Sequence, residues 1–173
     1  IKGYLQVLSK NEKDKMSDLF LSKSLHQVNK LNTLVEDLLN MSRLEAGKLE
    51  FSREGFDLRK LLLEMTETFI YSNKTHELVY DLGEDPIQYK GDKQRLEQAI
   101  SNLLTNAVKY SPKAKKIYLK LEKKQDDIRI SVKDEGMGLS QKQKDQIFSR
   151  YYRAETTKGI SGLGLGLYLT KQI

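Results

Sequence analysis

Gln98-Ala-Ile-Ser-Asn-Leu-Leu-Thr-Asn-Ala-Val-Lys-Tyr110 is the stretch on which the reading of this chain turns. Taken as a helix, it puts Leu96, Ile100, Leu103 and Ala107 on one face, at steps of four, three and four, which is the spacing of a core-facing stripe. Asn102, Asn106 and Lys109 form a second stripe beside it, four and three residues apart. Side-chain amide oxygens suit a hard divalent cation, and a lysine ammonium suits phosphate. The plainer alternative is an amphipathic helix whose polar edge is merely rich in asparagine.

Working outward from this helix, the chain divides in two. Residues 1–10 read as the end of a helix, 11–17 as a charged turn, and 18–46 as a long helix. Val28, Leu31, Val35, Leu38, Met41 and Leu44 or Glu45 run along the long helix at steps of three and four. A two-helix hairpin has too little core to stand alone, so its apolar seam predicts pairing with a second copy into a four-helix bundle. Gly47 ends the helix and residues 48–55 form a link. The second module starts at Phe56, where Asp57 can cap a helix over 58–72 with Leu58, Leu61, Leu62, Met65 and Phe69 facing inward. Residues 78–82 and 87–90 read as short strands on either side of Gly83–Pro86. Asp92 caps the Asn-bearing helix, and Ser111-Pro112 ends it. Residues 116–123 and 128–133 make a hairpin, with Ile117, Leu119 and Leu121 on the same side as Ile128, Ile130 and Val132. This order predicts an α+β fold: a helical hairpin, then one sheet covered on one face by helices.

Composition narrows the function classes. The chain has 173 residues, enough for one sizeable core or a core plus a smaller module. It contains no cysteine, which excludes disulfides and thiolate sites and fits a reducing compartment. No apolar run reaches the roughly 20 residues that span a bilayer. The net charge of +6 raises nucleic acid as a partner, but the lysines are dispersed among acids. The densest group, Lys113, Lys115, Lys116, Lys120, Lys123 and Lys124, reads as a solvated face around a strand.

Three further segments carry chemistry. Asp134 continues the inward register of Val132, and a carboxylate aimed into a core needs a partner. Gly136 and Gly138 directly after it allow close backbone approach, and the combination suits a flat, amine-bearing ring such as adenine. The simpler possibility is a strand-ending Asp-x-Gly turn. Gly162-Leu163-Gly164-Leu165-Gly166 runs into an apolar helix, where free amides and the helix dipole favour an anion. Its spacing is neither a Rossmann fingerprint nor a P-loop. Between the glycine segments, residues 147–153 (Ile-Phe-Ser-Arg-Tyr-Tyr-Arg) form an aromatic, basic anchor ahead of a polar, lid-like stretch, 154–161.

In this order the segments resemble the ATP-binding domain of sensor histidine kinases, within the wider group shared with gyrase, heat-shock chaperone and mismatch-repair ATPases. Residues 102–111 (Asn-Leu-Leu-Thr-Asn-Ala-Val-Lys-Tyr-Ser) resemble the family's N box. Asp134–Gly138 resembles its first glycine box, Phe148 with Arg153 its F box, and Gly162–Leu167 its second glycine box. Residues 42–47 (Ser-Arg-Leu-Glu-Ala-Gly) are similar to the end of its dimerisation helix, and Ile1–Tyr4 to the residues just past its phosphoacceptor box. The resemblance implies a two-layer α/β sandwich of the histidine-kinase ATPase type over 56–173, after a dimerisation hairpin over 1–47 and the 48–55 linker. It implies ATP and Mg²⁺ as ligands. Asn106 would hold Mg²⁺, with Asn102 assisting on the metal or the phosphates. Lys109 would contact phosphate, Tyr110 would line the pocket, and Asp134 would accept from the adenine amine, with Gly136 and Gly138 shaping its pocket. Gly162, Leu163, Gly164, Leu165 and Gly166 would hold the phosphates, and Phe148 and Arg153 would flank them.

The family's phosphoacceptor histidine precedes the segment that begins here at residue 1, so it is expected outside this chain. His26 lacks the surrounding pattern of that box, and His76 reads as an exposed loop residue. Strands are likewise expected beyond Ile173. The hydrolytic relatives place a glutamate base four residues before the metal-binding asparagine. Asn102 stands there, and an amide takes no proton from water. A catalytically silent dimeric scaffold is the other alternative. The partners the resemblance implies are a second copy of the chain and a response-regulator receiver, with Tyr4, Leu5 and Leu8 in the docking region. No nucleic acid is implied, the location is cytoplasmic, and any membrane anchor lies in other parts of the parent protein.

Overall fold

A computed structural model describes residues 15–48, 50–125, 127–154 and 162–173. The chain divides at Glu50 into two compact units.

The described part of the first unit is one helix, α1 (Lys15–Glu45). It starts three residues before the expected position, so Lys15, Met16 and Ser17 belong to the helix and not to the turn. The expected first helix, with Tyr4, Leu5 and Leu8, and the start of the turn lie outside the described residues. A Schellman arrangement ends α1: Lys48 N–H donates to Arg43 O at 2.8 Å and Gly47 N–H to Leu44 O at 3.1 Å. Gly47 supplies the left-handed conformation this motif needs, at φ +63°. Leu31, Val35, Leu38 and Leu39 stand about half exposed along α1. Asp37, partly buried on the same helix, has its carboxyl pushed above the ordinary value by burial and by the charge of Glu36.

The second unit opens with β1 (Glu54–Asp57), which takes up Glu54 and Gly55 from the stretch read as linker. α2 (Leu58–Ser72) follows, and Asp57 caps it by accepting from Arg59 and Lys60 N–H at 3.0 and 3.4 Å. Next come β2 (Glu77–Asp81), β3 (Gln88–Gly91), α3 (Lys93–Tyr110), β4 (Lys116–Lys124), β5 (Asp127–Asp134), the short α4 (Gln141–Gln146) and α5 (Gly166–Gln172).

The described strands make two sheets where one was expected. β2, β4 and β5 lie in that order, β2 parallel and β5 antiparallel to β4. β1 pairs antiparallel with β3 in a separate ribbon. The physical reason lies at the α2 cap. Asp57 Oδ1 also accepts from Ile87 N–H at 3.2 Å, and Leu58 N–H donates to Ile87 O at 2.8 Å, which ties the entry of β3 to β1. Phe56 and Tyr89 then meet edge to face across the ribbon, 5.7 Å apart.

The core lies between the three-stranded sheet and α2 with α3. Leu58, Leu61 and Leu62 of α2 and Ile100, Leu104 and Ala107 of α3 pack with Leu78, Ile117, Leu119 and Leu121 of the sheet. The hairpin register is the expected one, with Leu119 opposite Val132 and Leu121 opposite Ile130. One helix position differs: Leu104 is buried where Leu103 was expected, and Leu103 is half-buried. Both fit within a wide apolar stripe, and the helix turns slightly further toward the sheet than the spacing predicts.

Candidate functional site

α3 carries the polar edge as well as the core face. Asp92 caps its start by accepting from Arg95 N–H at 2.9 Å, while its second oxygen accepts from Ser52 N–H at 2.9 Å. With the apolar face held by the sheet, Asn102, Asn106, Lys109 and Tyr110 remain half-buried along the helix edge.

Each glycine segment meets this edge at a different point. The loop after β5 seats on the end of α3, where Met137 N–H donates to Tyr110 O at 3.3 Å. Gly136 lies so close that a Cβ there would stand 2.9 Å from Tyr110 C and 2.6 Å from Asp134 Oδ1. No side chain fits at that position. The second glycine segment meets the middle and last turn of α3. Asn102 Nδ2–H donates to Gly166 O at 3.3 Å, and a Cβ on Gly162 would come within 2.9 Å of Lys109 Nζ. Gly164, at φ +73°, sits against the backbone of Tyr151 and Tyr152, where a Cβ would approach to 2.8 and 2.7 Å. Tyr152 thereby joins the residues between the glycine segments to the second of them. Lys109 Nζ also lies 5.7 Å from the Tyr110 ring centroid.

Asp134 departs from expectation. It keeps the register, opposite Ile117, but is exposed because it is the last residue of its strand and the chain turns away after it. Its partner is local: Oδ1 accepts from Gly136 N–H at 2.8 Å. The carboxylate therefore stands at the rim of the helix edge, oriented by its own loop. Beside it, the Tyr118 hydroxyl donates to Glu135 Oε1 at 3.1 Å, and this bond raises the tyrosine's pKa, with smaller contributions from burial and from the charges of Glu135 and Glu77.

The second helix N-terminus differs from expectation as well. α5 has seven residues, begins at Gly166 and has no side-chain cap at Leu165, which is itself buried. Its dipole is correspondingly small, so any anion would depend mainly on backbone amides and Lys109. Phe148 and Arg153 are exposed in the segment after α4, and residues 155–161 of the lid-like stretch lie outside the described residues. The spacing did not reveal Arg150, whose guanidinium lies 5.1 Å from the Tyr168 ring and links this segment to α5. Nor did it reveal His76, which is half-buried and not a free loop residue: Nε2 lies 3.0 Å from Ser111 O. The signal for it was the Asn73-x-Thr75-His76 run, in which Asn73 Oδ1 folds back on the N–H groups of Thr75 and His76 at 2.9 and 3.2 Å.

A half-buried amide–amide–lysine edge, two glycine segments seated on it and a carboxylate at its rim define a nucleotide-binding domain of the α+β class. Residues 91–173 match the family described as histidine kinase-, DNA gyrase B-, and HSP90-like ATPase. The whole chain is 27% identical to the sensor histidine kinase WalK of Bacillus subtilis (strain 168), of which it spans 30%. Its fold is shared with full-length ShkA, solved in complex with AMPPNP, at a TM-score of 0.76 and 24% identity over 99% of this chain and 36% of that one. The histidine kinase ThkA, solved in complex with the response regulator protein TrrA, shares the fold at a TM-score of 0.63 and 21% identity, over 87% of this chain and 45% of that one. Residues 91–173 thus carry an ATPase domain of this type, in a chain similar along its length to sensor histidine kinases.

Proposed function

We propose that this chain is the kinase core of a two-component sensor, which moves the γ-phosphate of ATP to a histidine outside residues 1–173 and from there to an aspartate of a response-regulator receiver. Residues 1–47 form the dimerisation hairpin, 48–55 the linker and 56–173 the catalytic domain, working on the cytoplasmic side. Support for a second copy comes from Leu31, Val35 and Leu38, which stand half exposed along α1. Support for a receiver comes from the fold shared with ThkA, whose complex holds a response regulator.

The observation that carries the reading is the seating of both glycine segments on one helix edge, at Tyr110 O and at Asn102. Asp134 accepts from the adenine amine, in a pocket shaped by Gly136 and Gly138. Tyr110 lines the base, and Lys109 with Gly162, Leu163, Gly164, Leu165 and Gly166 holds the phosphates. Phe148 and Arg153 flank them. The donor set fits Mg²⁺ bound to phosphate: the Asn102 amide nitrogen is engaged on Gly166 O, which leaves its oxygen for a cation, and Asn106 follows one turn later. The metal would supply charge neutralisation on the phosphates. What the chain itself contributes is positioning, together with an amide in place of a water-activating carboxylate at position 102.

Titration calorimetry of the 173-residue chain with Mg²⁺ and AMPPNP tests the site. Binding is expected, and Asp134→Asn weakens it about ten- to a hundredfold, the range for a hydrogen bond to a charged group. No heat of binding by the unsubstituted chain overturns the nucleotide reading. A chain extended toward its N-terminus and given γ-labelled ATP tests the chemistry. Acid-labile, alkali-stable label on protein is expected, whereas phosphate release without protein label indicates hydrolysis and overturns the kinase reading.

A further inference from the structure

Besides the two glycine segments, a side chain remote in sequence, His76, meets the end of α3 at Ser111. Ser111 is the C-cap of α3 and is 1% exposed. Its hydroxyl donates to Ala107 O and so is already committed. What Ser111 offers His76 is acceptors only: its carbonyl at 3.0 Å from Nε2 and its hydroxyl oxygen at 3.3 Å. The imidazole must therefore carry a proton on Nε2, shared between both oxygens.

The other end of the ring is held too. Nδ1 lies 2.9 Å from Thr75 Oγ1, whose one proton is shared between Nδ1 and Asn73 Oδ1, 2.8 Å away. Asn73 is the C-cap of α2 and donates its own N–H to Phe69 O at 2.8 Å. A continuous polar chain thus runs from the end of α2, through His76, to the end of α3.

We infer that His76 is a positioning residue for the nucleotide site, through its Nε2–H bond to Ser111, which fixes the last turn of α3. This rests on the nucleotide reading above. The last turn and a half carries Asn106, Lys109 and Tyr110, and a helix moves those three side chains as one body. The residue adjoining Ser111, Tyr110, is also the one whose carbonyl receives Met137 N–H and abuts Gly136. A shift at Ser111 therefore moves the seat of the Asp134 loop as well. The N-terminal half of α3 does not depend on this anchor, because Asp92 and the buried Ala99 and Ile100 hold it separately. His76 lies outside the matched span 91–173, so it is no part of the boxes that define the family.

The test compares AMPPNP–Mg²⁺ affinity in the full chain with His76→Leu and His76→Gln, with Leu121→Val as a core variant for stability alone. His76→Leu leaves a buried acceptor unpaired and is expected to weaken binding roughly fivefold. His76→Gln, whose amide reaches where Nε2 stands, is expected to bind within about twofold of the parent chain. Leu121→Val is expected to lower Tm without changing affinity. Equal affinity for His76→Leu and the parent chain overturns the inference, as does a glutamine variant no better than leucine. If the leucine variant does not fold, nitrogen-15 spectra of the parent chain decide the matter. The chain has two histidines, and His26 on α1 serves as the internal control. At mildly alkaline pH, His76 is expected as the Nε2–H tautomer, with resonances that move on adding AMPPNP while those of His26 stay. A Nδ1–H tautomer or an unmoved His76 overturns the inference. Absence of AMPPNP binding by the parent chain is a different result: it removes the nucleotide reading and the inference together.

Discussion

α1 and the α2/α3 pair carry the same kind of apolar periodicity and end in opposite conditions. Leu62 of α2 is 0% exposed and Leu104 of α3 3%, whereas Leu31 is 59% and Leu38 49% exposed. The difference does not lie in the residues, which are leucines at helical spacing in both helices. α2 and α3 share a sheet on which both stripes close, and burial of each such side chain contributes about 1.5–3 kcal/mol. Along α1 the described residues leave much of the stripe open. An amphipathic pattern specifies that a face should be covered; what covers it is a separate question.

The contrast can be broken most directly by truncation. Leu119→Ala is expected to destabilise the second unit by about 2–5 kcal/mol in urea unfolding, from lost transfer energy and a cavity that relaxes only in part. The same change at Leu38 is expected to leave that transition within about 0.5 kcal/mol, while sedimentation shifts toward the smaller species. If Leu38→Ala unfolds the second unit as readily as Leu119→Ala, the two regions are not energetically distinct and the comparison fails. An intermediate effect is expected within the site, where Gly136→Ala presses on Tyr110 and Asp134 and weakens AMPPNP binding about tenfold or more. Gly138→Ala is the sharpening control. It meets open space and is strained only through φ +67°, a penalty of about 1 kcal/mol in stability. Equal loss of binding in the two variants shows that loop strain, and not the close seat on α3, controls the site.

The smallest effect belongs to α1. The Asp37 carboxyl is raised by burial and by Glu36, so the native state holds its proton more tightly than the unfolded chain. Stability then rises as pH falls from neutral through the folded pKa and stops changing below the unfolded value, about 3.9. Asp37→Asn removes this dependence, for a gain at neutral pH of a few tenths of a kcal/mol after solvent screening. A helix signal in circular dichroism that falls between neutral pH and about pH 5 reverses the sign and rules the account out.

Much of the second unit was legible because its signals are local. Asp57 and Asp92 cap the helices they precede, and strict alternation in 117–132 set the hairpin register. The single-sheet expectation failed because strand partnership is non-local: Ile87 is claimed by Asp57, thirty residues away, and that tie draws β3 to β1. Asp134 was expected inside because alternation says which side a residue faces, not where the strand's cover ends. His76 was passed over for the same reason, since its partner Ser111 is thirty-five residues distant.

From sequence alone came the helix that carries the site, its polar edge, the glycine segments and the family to which their order points. These rest on periodicity, capping and turn chemistry, which act over a few residues and can be read from them. Only the tertiary structure decided that Tyr110 O and Asn102 are the seats of the two glycine segments, and that the end of α3 is fixed from behind by a histidine. Those contacts depend on where packing brings distant backbone carbonyls, and a carbonyl, present at every residue, leaves no mark in a sequence.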